Sequence, residues 1–94
     1  MRLGERGRRI SGKLEREFSP SELQVIDESS QHAGHAGSRP GGETHFRVHI
    51  RAAAFNGKSR IERHRMIHRV LAEELADGVH ALAISAYGPD DGKS

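Results

Sequence analysis

The chain has 94 residues, no cysteine, no tryptophan and a formal net charge of +2. A chain of this length holds one compact domain with a small core, and the missing cysteines exclude disulfides, thiolate metal ligands and a cysteine nucleophile. No apolar run approaches the roughly 20 residues that span a bilayer, and the N-terminus lacks the apolar stretch of a signal peptide, so a cytoplasmic protein without a membrane partner is expected.

Leu3, Ile10, Leu14 and Phe18 fall on one stripe of a helix. The spacing predicts a helix from residue 3 or 5 to residue 18, weakened by Gly4, Gly7 and Gly12 at about 1 kcal/mol each. Pro20 forces a turn. Leu23 and Val25 alternate with Gln24 and Ile26, which fits a strand over 23–28 with one buried face. Residues 29–42 are almost all Ser, His, Gly, Ala, Arg and Pro, with HAG doubled at 32–37. Such a stretch has little to bury and reads as a surface loop, mobile over 27–42 and long for a compact domain.

Over 44–51, Phe46, Val48 and Ile50 alternate with His45, Arg47, His49 and Arg51, predicting a strand with one apolar and one basic face. Ser59 with Glu62 three residues on has the spacing of a capping box. It opens a second helix whose core stripe reads Ile61, Ile67, Val70, Leu71 and Leu75 and which ends at Gly78, after a short helical turn between 55 and 59. Residues 79–87 form a strand with little charge on either face, as expected of a central or well-covered strand. The last residues are polar and expected to be disordered, giving a domain over 1–88 and a tail over 89–94. The order helix, strand, strand, helix, strand defines an α+β sandwich with helices on one face of a three-stranded sheet.

Five stretches carry a resemblance to a known family: DES at 27–29, the HAGHAG loop, GETHFRV at 42–48, FNGKSRIERHRMIHRVLAEEL at 55–75 and GVHAL at 78–82. In this order, over nearly the whole length, the sequence resembles the BolA family. The resemblance implies a fold like the type II KH domain, α-β-β-α-(α)-β, with the first two strands antiparallel and the third parallel to the second. It also implies an adaptor that is a monomer alone and a heterodimer with a monothiol glutaredoxin, taking part in the handling of iron and of a [2Fe-2S] cluster shared with glutaredoxin and glutathione. Some family members are described as DNA-binding regulators of transcription, morphology and stress response.

His80 sits at the start of the last strand, where alternation places it on the face of Leu82 and Ile84. The ordinary role of such a histidine is one hydrogen bond at a strand end, although neutral imidazole is also a common metal ligand. The GVHAL match makes His80 the main cluster ligand implied by the resemblance. The resemblance implies a second ligand in the loop, where both His32 and His35 are on offer. Two histidines without cysteine do not hold an iron–sulfur cluster by themselves, so thiolates from a partner complete the set.

Lys58, Arg60, Arg63 and Arg65 cluster at the start of the second helix and are the candidate contacts to nucleic-acid phosphates. Gly57-Lys58-Ser59 lacks the earlier glycine of a phosphate-cradling loop, since position 52 is Ala52. Gly57-Lys58-Ser59-Arg60 has only the first glycine of the KH GXXG loop. His64 and His68 are four apart, but Arg65 stands where a metalloprotease helix has glutamate. No nucleophile–base pair or carboxylate pair is poised for catalysis, and no catalytic residue is assigned.

Overall fold

A computed structural model describes residues 3–29 and 43–91. The mobile loop expected over 27–42 is corrected at its start, where Asp27 ends a strand and Ser29 is buried and hydrogen-bonded; the rest of that loop, with His32 and His35, lies outside the described residues. The elements are α1 (Glu5–Phe18), β1 (Glu22–Asp27), β2 (His45–Arg51), a 3-10 turn (Ala53–Phe55), α2 (Arg60–Val70), α3 (Ala72–Ala76) and β3 (Ala81–Tyr87).

The amphipathic stripe of α1 buries Gly7, Ile10 and Leu14. No side chain of the N-cap residue, Gly4, closes its first turn. A carboxylate from across the chain does so: Gly7 N–H donates to Glu43 Oε2 at 3.0 Å, placing a negative charge at the positive end of the helix. A Cβ on Gly4 would lie 2.6–2.7 Å from the Glu43 carboxyl group. The glycine that weakens the helix locally is what admits this long-range cap.

The sheet runs β1-β2-β3. β1 is antiparallel to β2, with Val25 opposite Val48, and β2 is parallel to β3, with Val48 opposite Ile84. This is the pairing the resemblance implies. Phe46, Val48 and Ile50 on β2 meet Ile10 and Leu14 of α1, Phe55, and Ile67 and Leu71 in one buried cluster. Phe18 and Phe55 pack with ring centroids 4.9 Å apart. The opposite face of β2 is basic in sequence but neutralised in place, because Arg47 pairs with Glu28 at 2.9 Å and Arg51 pairs with Glu22.

Four further sequence expectations are corrected. The single helix after Ser59 is two, broken at Leu71 (φ −100°, ψ 17°). Ile61 is 64% exposed rather than in the core, since six residues before buried Ile67 is about 120° round the helix. The short turn lies at Ala53–Phe55, before the expected position. β3 begins at Ala81 and forms an edge of the sheet, not its centre. The capping box is present, with Glu62 N–H to Ser59 Oγ at 3.1 Å and Ser59 N–H to Glu62 Oε1 at 2.9 Å. These hydrogen bonds hold the Glu62 carboxyl below its ordinary range.

Candidate functional site

β2 and β3 are parallel, so they begin at the same end of the sheet, and the long loop starts and finishes there too. His80 N–H and Ala81 N–H both donate to Thr44 O, at 2.7 and 3.2 Å. Thr44 N–H in turn donates to Ser29 Oγ at 2.9 Å, and His45 N–H reaches the same oxygen at 3.2 Å. Ser29 is buried, and its own N–H is held by Asp27 Oδ1 at 2.8 Å. Asp27 and Glu28 therefore serve different contacts, as their opposite directions on a strand imply.

His80 itself is exposed. Buried Val79 anchors the chain on one side, and Gly78 at φ +130° provides the bend after α3, a conformation that L side chains rarely adopt. Arg6 joins both flanks: Nη1 donates to Glu43 O at 2.6 Å and Nη2 to Asp77 O at 2.9 Å. The backbone around the His80 imidazole is thus fixed by Ser29, Thr44 and Arg6 while its ring remains open to solvent.

The ring of His45 lies 6.3 Å from that of His80, centroid to centroid, and its Nδ1 is 2.8 Å from Thr44 Oγ1. In sequence His45 is one residue of the basic face of the second strand, with no metal role. Only the parallel register, His45 opposite Ala81, brings the two imidazoles together. Among the described residues no three His, Asp or Glu side chains gather into a metal-binding group.

The basic cluster on α2 divides. Lys58, Arg60 and Arg65 are exposed, whereas Arg63 turns inward. Its Nη1 donates to Ala86 O at 3.0 Å, and its guanidinium pairs with Asp91. That pairing holds the Asp91 carboxyl below its ordinary range, Arg63 being the main cause and the Gly88 backbone the next. Residues 89–91, expected to be disordered, are folded onto the domain, with Arg51 Nη1 also donating to Gly88 O at 2.9 Å and Asp91 O at 3.3 Å.

A family model described as BolA-like protein matches residues 14–91. The chain belongs to the BolA family. It is 53% identical over 91 residues to SufE-like protein 1, chloroplastic/mitochondrial, of Arabidopsis thaliana, covering 93% of this chain but 24% of that protein. The chain thus spans about a quarter of that BolA relative. The solved BolA domain of the same plant protein superposes with a TM-score of 0.86 at 51% identity, covering 96% of this chain and 99% of that one. A bacterial BolA relative, the DNA-binding transcriptional regulator BolA of Escherichia coli, is 47% identical over 79 residues, covering 84% of this chain and 71% of its own. No helix among the described residues is long and apolar enough to cross a membrane.

Proposed function

We propose that the protein is a cytoplasmic adaptor that binds a monothiol glutaredoxin and helps to carry or hand on a [2Fe-2S] cluster, with His80 as the ligand this chain supplies from its folded part. The supporting observation is a convergence at one end of the sheet: an exposed imidazole on a fixed backbone, at the point where both ends of the His32–His35 loop meet.

The donor set fits a shared cluster and not one held alone. Imidazole nitrogen is a suitable iron ligand, but clusters are usually held by thiolates and this chain has no cysteine. The glutaredoxin cysteine and glutathione would supply them. When bound, the cluster would serve as cargo for electron or iron–sulfur transfer. This chain's part is to present His80 and to favour the mixed complex over the glutaredoxin alone. No acid, base or nucleophile of this chain is needed for that role.

Co-expression with a monothiol glutaredoxin, purification with glutathione and an absorption spectrum test the reading. A coloured heterodimer supports it; a colourless preparation, or no complex, overturns it.

A second reading, DNA binding, is favoured by the exposed Lys58, Arg60 and Arg65 at the start of α2 and by the name of the Escherichia coli relative. Phosphate contacts of this kind position a protein without specifying sequence.

A further inference from the structure

We propose that the cleft between α2 and the open edge of β3 receives an extended, acid-bearing peptide segment of a partner protein, added beside β3 as a fourth strand. The backbone supplies half of the site. Ala81 N–H bonds to Thr44 O, and Tyr87 O accepts from Ala52 N–H, so the odd-numbered residues of β3 face β2. By strand alternation the peptide groups of Leu82, Ile84 and Ala86 point to the open edge. Ala86 O is taken by Arg63, and β3 has a strand on one side alone, β2. Such an edge is a template for main-chain pairing, which a nucleic acid does not match.

Charge supplies the other half. A cleft of about 540 Å³ beside residues 84–87 is lined by Lys58, Arg60, Arg63 and His64, against a single carboxylate, Asp91. That carboxylate already sits on the Arg63 guanidinium, so the cleft accommodates an aspartate delivered on a peptide backbone. Asp91 is the resident stand-in that an incoming acidic side chain displaces. The charged cleft lies beside residues 84–87, toward the end of β3 away from His80, and the added strand runs from there along the edge to Leu82.

The probe is a capped hexapeptide alternating aspartate and valine, titrated into isotope-labelled protein with amide exchange followed residue by residue. Binding slows exchange at Leu82 and Ile84 and leaves Ala83 and Ser85, already facing β2, unchanged. The asparagine version of the peptide binds about tenfold more weakly, the effect of one charge-assisted hydrogen bond. Asp91→Asn tightens binding about threefold by removing the competitor, while Glu73→Gln, an equal charge change on α3 outside this cleft, does not. Lys58→Gln with Arg60→Gln, both exposed and remote from the core, weakens it. Absence of protection at Leu82 and Ile84, or equal affinity for the two peptides, overturns the proposal. So does displacement of the peptide by a single-stranded oligothymidylate that binds more tightly, which would make the cleft a nucleic-acid site.

Discussion

Thr44 N–H is hydrogen-bonded to Ser29 Oγ at 2.9 Å across fifteen positions of sequence, closing the base of the long loop directly beneath His80. The same hydroxyl receives His45 N–H, so one buried side chain satisfies two backbone donors. Ser29→Ala is expected to leave both unpaired at a cost of about 1–3 kcal/mol, read as a lower denaturation midpoint with unchanged denaturant slope. Ser29→Thr, which keeps the oxygen, is expected to retain most of the stability. Equal losses in the two variants would show that the hydroxyl does not close the loop.

The buried carboxylate of Glu74, 3% exposed, is matched by Lys13 at 3.0 Å and by Arg9 at 3.8 Å. Lys13→Met is expected to lower the denaturation midpoint by leaving a buried carboxylate short of its nearer cation. The double change with Glu74→Met is expected to recover most of that loss. A double variant no better than the single one would assign the effect to packing.

Asp91 provides a pH test. Its carboxyl is held below the ordinary value of 3.8 by Arg63, so the stabilisation from this clasp is fully present above that value. It is lost only as pH falls through the lower, folded-state value. A carboxyl-carbon titration by NMR should show the Asp91 midpoint below 3.8, rising when Arg63 is changed to Gln. An Asp91 midpoint at the ordinary value would remove the clasp.

For the DNA reading, Lys58→Ala, Arg60→Ala and Arg65→Ala together are expected to weaken binding about equally across sequences. The slope of log affinity against log salt should fall by about 1 for each lost phosphate contact. A loss confined to one sequence would mean that these side chains read bases.

Local features were legible in the sequence. The capping box of Ser59 and Glu62, the stripe of Ile10 and Leu14, and the alternation of Phe46, Val48 and Ile50 all depend on neighbours a few positions away. Ile61 was misplaced because an apolar residue next to a helical stripe matches composition without matching angle. β3 looked central because neither of its faces carries much charge, yet its residues are mostly half-buried at a sheet edge. The contacts that shape the His80 site were not legible: Arg6 to Glu43 spans 37 positions, and His45 meets His80 only through the parallel register. The BolA resemblance pointed to His80, but not to the residues that hold it in place.

The most direct test is the absorption spectrum of the purified glutaredoxin complex with His80 changed to alanine, beside wild type, each loop histidine change alone and the His32→Ala, His35→Ala double variant. His80 is attached to a backbone held by its own N–H bond to Thr44 O and by buried Val79 beside it, so little ordering opposes ligation there. His80→Ala is therefore expected to abolish the cluster spectrum or make the cluster markedly more labile, with each single loop change giving a partial effect and the double change approaching the loss of His80. A His80→Ala complex that forms normally and holds a spectrally unchanged, equally stable cluster would contradict the assignment and leave His80 as a strand-end histidine with no part in cluster binding.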